Sequence, residues 1–304
     1  MLILLWHPSL QSELLTASVH LTQKLFPTPE FFAAEDLGVS PLRSCPKCKS
    51  CVECDFRNSS ITRDENVVVE KQESLLKLDS EKSQVHASYA WTEDVLGLTD
   101  NKHQAVGFQK SVEKKLIKNG ELKQYNQELH KALEKGYLVE LGPEDLVEYS
   151  GPVCYVSHFP VYKPDSQSTP IRVVSNTSLK NVNCGLSPNQ CMAMPPNALS
   201  SLLSVLLRWR TYAKALCLDM SKAYQSIKTG QRERNVRRIV WRWGDLISDW
   251  KVYAWDVMMF GDQLASLILE IAKKMGANLG RELDPEAAEV LVTSTYVDDT
   301  LGGG

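Results

Sequence analysis

Apolar positions recur at helical spacing in the middle of the chain and give way to strand-like runs after it. From Asp100 onward, Ala105, Phe108, Val112 and Leu116 fall every three or four residues, and Asn119-Gly120 supplies a stop. This predicts an amphipathic helix. A second helix is predicted by Leu122, Tyr125, Leu129 and Leu133, ending near Gly136. Past the turn signal Gly142-Pro143, Val153 to Val161 and Ile171 to Val174 read as strands flanking the polar loop KPDSQSTP, a hairpin pattern. Pro195-Pro196 leads into ALSSLLSVLLRWR, a strongly apolar helix. Tyr212 to Leu218 reads as a buried strand ending at Asp219, and Val236 to Trp243 and Val252 to Phe260 as two more. A helix carries Leu264, Leu267, Ile268, Ile271 and Met275, Asp284-Pro285 signals a helix start, and Val290 to Tyr296 reads as a final strand. Helices and strands mix without regular βαβ alternation, so the expected class is α+β.

The first third lacks such a period. Residues 1–44 alternate short apolar patches with Pro, Ser and Thr, and residues 45–99 join a cysteine-rich knuckle to a polar linker. Both are expected to be irregular or weakly helical. A helical lead-in over 100–141 and a mixed body over 142–304 complete the division.

With 304 residues, 43% apolar and 23% charged, the composition is that of a globular chain and excludes a disordered or collagen-like one. No apolar run approaches the ~20 residues of a membrane helix. MLILLW at the start has no basic residues before it and breaks at His7-Pro8, unlike a signal peptide. Together with four cysteines crowded into ten residues, this points to a reducing, intracellular setting, cytoplasmic or nuclear.

Charge changes the picture locally. The chain carries −3 overall, but Gly151 to Asp245 holds thirteen basic and four acidic residues, an excess of +9. That suits a phosphate-bearing partner. A solvated basic face would carry the same signature.

The sharpest chemical signal is TYVDD, Thr295 to Asp299, where two adjacent carboxylates end an apolar run. Their repulsion calls for a cation or for solvent. A solvated turn also accounts for such a pair. Asp219 ends another apolar run upstream. It reads as a helix N-cap, or as a third oxygen ligand converging on a Mg²⁺ (or Mn²⁺) site. Cys45, Cys48, Cys51 and Cys54 have CxxCxxCxxC spacing, which suits either tetrahedral Zn²⁺ or a reduced linker. Cys154, Cys184, Cys191 and Cys217 lack a partner pattern and read as packing residues.

Several motifs occur in one order: CPKCKSCVECDFR, ASYAWTEDVLGLTDNKHQAV, GPVCYVSHFPVYKPDSQSTPIRVVSNTS, LLRWR, LDMSKAYQSI, RRIVWRWGD, FGDQLAS and TYVDD. With these, the chain from about Glu35 onward resembles the reverse transcriptase region of the Pol polyprotein of BEL/Pao-type long-terminal-repeat retrotransposons. The resemblance implies the fingers and partial palm of a right-hand polymerase over 142–304, with no thumb. It implies DNA synthesis on an RNA or DNA template from a DNA primer, with deoxynucleoside triphosphates as substrates. By position, Asp219, Asp298 and Asp299 match the family's metal-holding carboxylates. Arg172 matches the arginine that meets the incoming triphosphate, with Lys163 as its more loosely aligned neighbour. Tyr224 matches the aromatic beneath the incoming sugar, and Phe260 and Gly261 match the motif beside nucleotide and template. The chain departs from the family where Leu264-Ala265-Ser266 replaces a Ser-Pro pair, and where Asn176 stands in place of the usual Asp. Two other classes compete: an inactive retroelement remnant that only binds nucleic acid, and an unrelated metal-dependent phosphoester hydrolase.

Overall fold

In the computed structural model the described residues are 62–79, 81, 84–162 and 171–304. The expectations for residues 1–44, the cysteine cluster from Cys45 to Cys54, Lys163 and the KPDSQSTP loop lie outside them. Residues 64–304 form one compact unit.

The polar stretch before Asp100 is more regular than its composition predicts. It contains α1 (Arg63–Ser74) and an antiparallel pair, β1 (Leu76–Asp79) with β2 (Gln84–Ala87). Each strand has four residues, too short for alternation to stand out. Leu76 and Ala87, one Cα pair of this ladder, turn into the core.

The next helices follow their apolar periods. α2 (Lys102–Asn119) ends at Gly120, which takes a left-handed φ of 71° so that its N–H reaches the carbonyls of Leu116 and Ile117. Its buried face is Ala105, Gln109, Glu113 and Leu116, while Phe108 is exposed. α3 (Leu122–Glu134) buries Tyr125 and Leu129. It leads into β3 (Leu138–Leu141). Gly142-Pro143 then opens a helix rather than a simple turn: α4 (Pro143–Glu148) has proline at its first position, where no N–H is needed. β4 (Ser157–Tyr162) and β5 (Ile171–Asn176) form the expected hairpin, in register from Ser157↔Asn176 to Tyr162↔Ile171.

α5 (Leu202–Trp209) begins at Ser201, whose hydroxyl accepts from the Ser204 N–H. β6 (Ala215–Asp219) follows, and here the expected burial fails: every residue of the strand is exposed. β6 is the edge of a three-stranded sheet, and α5 buries only Val205. Leu203, Leu207, Leu216 and Leu218 therefore remain about half exposed. Cys217 is exposed too and is not a packing residue, unlike the buried Cys154 and Cys191. β7 (Ile227–Thr229), α6 (Gln231–Asn235), β8 (Arg238–Trp241) and β9 (Lys251–Trp255) come next. They lead to the largely buried α7 (Ala265–Gly280). α8 (Pro285–Thr293) is capped by Asp284, whose carboxylate accepts from the Ala287 N–H at 2.9 Å. It takes up Val290 to Thr293, so the final strand is only β10 (Thr295–Tyr296), followed by β11 (Asp299–Gly303). A good N-cap with proline at N1 propagates a helix that a β-branched run alone would not suggest.

The architecture is α+β. Its sheets run β1-β2-β7, β3-β9-β8 and β10-β11-β6, with β4-β5 as a separate pair. One core gathers Tyr89, Trp91, Tyr224, Ile227 and the inner face of α7. A second packs Leu116, Tyr125, Leu129, Ile239, Trp241 and Tyr253 between α2, α3 and the β3-β9-β8 sheet. Among the described residues no helix is long and apolar enough to cross a membrane.

Candidate functional site

The site is set by strand register. β11 runs antiparallel to β6 with Asp299 opposite Asp219, Thr300 opposite Leu218 and Gly303 opposite Ala215. Lys214 and Gly304 exchange both backbone hydrogen bonds, at 2.8 and 3.0 Å. Pairs alternate along an antiparallel ladder, so Asp219 and Asp299 occupy a non-hydrogen-bonded pair, with Cα atoms about 4.5 Å apart and both side chains on one face. The next rung fits this phase, since Met220 N–H donates to Asp298 O at 2.9 Å. Like charges directly opposite each other on a sheet repel. Both aspartates are exposed, which limits that cost through solvent screening.

Asp298 lies in the turn itself. Tyr296 pairs with Asp299, leaving Val297 and Asp298 as a two-residue loop. Val297 has a φ of 58°, a conformation that usually selects glycine. Its side chain packs against the core that holds Tyr224, and this apolar contact offsets the strain. Beneath the hairpin, the Thr295 and Thr300 hydroxyls bond at 2.8 Å. Among the described residues, no three His, Cys, Asp or Glu side chains are gathered as a ready-made metal-ligand group. The register thus brings two carboxylates face to face, with the third at the adjoining turn.

A tight turn after Asp219, through Lys222 at a φ of 59°, brings the chain back into the core at Tyr224. Burial raises the Tyr224 pKa, and the nearby negative charges of Asp298 and Glu270 act in the same direction. The Tyr224 ring lies 4.7 Å from that of Phe260, tilted by 53°. Phe260 is itself 46% exposed, so one face of the pair is open to solvent beside the carboxylates' hairpin.

Gly261 follows at a φ of 96°, and its carbonyl accepts from Thr177 Oγ1 at 3.0 Å and Asn189 Nδ2 at 2.9 Å. A Cβ there would meet Ser175 O at 3.7 Å, so backbone conformation rather than space calls for glycine. These bonds tie the loop to the end of β5. Arg172 lies nearer that strand's start, opposite Val161 and exposed. Among the described residues it has no ion-pair partner.

The basic excess is partly spent inside the protein. Arg237 pairs with Asp262, Lys228 and Arg234 with Asp256, and Arg242 with Glu113. Arg238 is buried on Asn235 and Tyr155. The acids Glu113, Asp256 and Asp262 lie outside the Gly151–Asp245 window, so the local charge overstated the free cations.

Sequence reading passed over the polar group behind Phe260. Arg237, Asp262, Glu233, Tyr89 and Trp91 are joined there. Burial opposes the Arg237 charge, but Asp262, Tyr89 and Glu233 outweigh it and raise the guanidinium pKa. The signal was present in the motifs ASYAWTED, RRIVWRWGD and FGD, each of which contributes to this one cluster. No protein-family model matches the chain, and no curated protein matches it.

Proposed function

We propose that this chain is the fingers and partial palm of a reverse transcriptase of the BEL/Pao retrotransposon Pol type, adding deoxynucleotides to a primer on an RNA or DNA template. The observation that carries the reading is the β6–β11 register, which sets Asp219 opposite Asp299 beside the turn that holds Asp298. The donor set suits Mg²⁺ or Mn²⁺, which take carboxylate oxygens together with substrate phosphates. Asp219, Asp298 and Asp299 would hold it. When bound, the metal lowers the cost of charge on the attacking and leaving oxygens of phosphoryl transfer.

The protein's own groups do the positioning. The open face of Phe260 against Tyr224 offers a surface for the base and sugar of a nucleotide. The buried Tyr224 hydroxyl stays neutral at ordinary pH, so the ring can exclude a 2′-hydroxyl without adding negative charge. Arg172, without an ion-pair partner among the described residues, is available for phosphate oxygens, which its planar fork fits.

Primer extension by the full chain, compared with Asp219→Asn and Asp298→Asn, tests the reading. The expected outcome is incorporation by the wild type and a loss of at least about a hundredfold in each variant, the scale set by removing charge-stabilising groups. Equal incorporation by all three would reject these carboxylates as the catalytic groups. Nucleic-acid binding with no incorporation by the wild type would leave a retroelement remnant that only binds.

A further inference from the structure

Two residues past Phe260 the chain reaches Asp262, whose side chain is wholly buried against that of Arg237. The carboxylate Oδ2 accepts from Arg237 and from the Tyr89 hydroxyl, the latter at 2.6 Å. Arg237 lies over the Tyr89 ring, 5.1 Å from its centroid. It also donates to Thr229 Oγ1 and Glu233 O, both at 3.0 Å. Glu233 Oε1 in turn accepts from Tyr89 N–H at 2.9 Å and Trp91 Nε1 at 2.7 Å. On the loop's other side, Asn189 Nδ2 holds Gly261 O at 2.9 Å, and Asn189 Oδ1 accepts from the Gln263 N–H at 3.1 Å. The four residues 260–263 are therefore gripped from both sides.

Such a network adds little to stability. A buried ion pair roughly breaks even against apolar residues of the same volume, because desolvation cancels most of the attraction. This one also leaves Asp262 Oδ1 buried without a hydrogen-bond partner among the described residues. What the arrangement does supply is direction: a guanidinium and a phenol fix one carboxylate oxygen in place. The carboxylate belongs to the residue after Gly261, whose left-handed backbone sets where Phe260 emerges.

We propose that Arg237, Asp262 and Tyr89 are positioning residues of the nucleotide site, holding the 260–263 loop so that Phe260 is presented beside Tyr224. The role in nucleotide binding rests on the polymerase reading above, whereas the grip on the loop does not.

The test uses Tyr89→Phe in the full chain. It removes one hydroxyl and keeps the ring stacked on Trp91, with centroids now 5.6 Å apart. Amide hydrogen exchange reads the loop, and steady-state primer extension reads the site. The Gln263 amide is expected to exchange roughly tenfold faster while Ile239 and Tyr253 in the β8–β9 ladder stay unchanged. The KM for the nucleotide is expected to rise roughly three- to tenfold, with the KM for primer–template unchanged. Unchanged exchange at Gln263, or an equal rise at every amide, overturns the grip. Faster exchange at Gln263 with an active enzyme and an unaltered nucleotide KM overturns the positioning role. Faster exchange in a chain whose wild type incorporates nothing rejects the polymerase reading and supports the grip. Asp262→Asn is the second variant, and should move both readouts further in the same direction if it folds.

Discussion

His158 shows how a side chain's surroundings decide its chemistry. It is fully buried, with Nε2 3.2 Å from Val240 O and Nδ1 2.6 Å from the Tyr125 hydroxyl. A carbonyl only accepts, so Nε2 carries the proton and Nδ1 accepts from Tyr125. Burial pushes the imidazole down to about 4, against an ordinary value of 6.5. The folded pKa lies below the unfolded one, so between these values the unfolded chain binds the extra proton. Stability is then intact above pH ~6.5 and falls as pH drops towards 4, by up to about 3 kcal/mol. Urea unfolding midpoints at pH 7 and pH 5 should differ accordingly, and His158→Gln should flatten that dependence. Little of this was legible from the residue itself. The buried Gln109 and Glu113 on α2 were hidden likewise, because their partners, His158 N–H and Arg242, come from distant segments. Periodicity favoured Phe108, one position away, which faces solvent.

At the scale of elements, the sequence is informative where a period is long or a turn is chemically marked. α3 and the β4–β5 hairpin followed directly. Asp219, Asp298 and Asp299 could be seen as carboxylates ending apolar segments, but nothing local fixes which residue of β6 faces which of β11. That register depends on close approach near Gly303, where an added Cβ would run into the backbone oxygen of Lys214. At Gly302 the same addition meets only Val290 Cγ1, at 3.6 Å. Gly303→Ala should therefore force β11 away from β6, cost about 1–3 kcal/mol and abolish primer extension. Gly302→Ala should stay within about 1 kcal/mol of wild type and remain active. Thermal unfolding paired with the extension assay distinguishes them. β6 departs from the expected burial because an edge strand with an uncovered face has the same apolar sequence as a buried one.

For the whole molecule, the disposition of charge sets the expected behaviour towards nucleic acid. Five of the thirteen cations in the basic window, Lys228, Arg234, Arg237, Arg238 and Arg242, are committed to internal partners. At most eight are left for phosphates: seven with no ion pair among the described residues, and Lys163, which lies outside them. The dependence of log binding constant on log salt for duplex DNA should then be no steeper than about −7, whereas all thirteen would give about −12. A salt titration followed by fluorescence anisotropy measures this. A slope beyond −8 would mean that phosphates also meet the internal pairs or cations outside this window.

The parallel pairing of β2 with β7 has a consequence for how the protein is made. Tyr89 and Trp91 follow β2, and their acceptor, Glu233, lies 144 residues downstream of Tyr89. At ordinary translation speeds the wait for that partner is on the order of ten seconds. Throughout it, two large aromatic rings stay unhoused on the nascent polypeptide, a natural target for chaperones that bind apolar segments. That aromatic pair is thus made well before the acidic residue that anchors it.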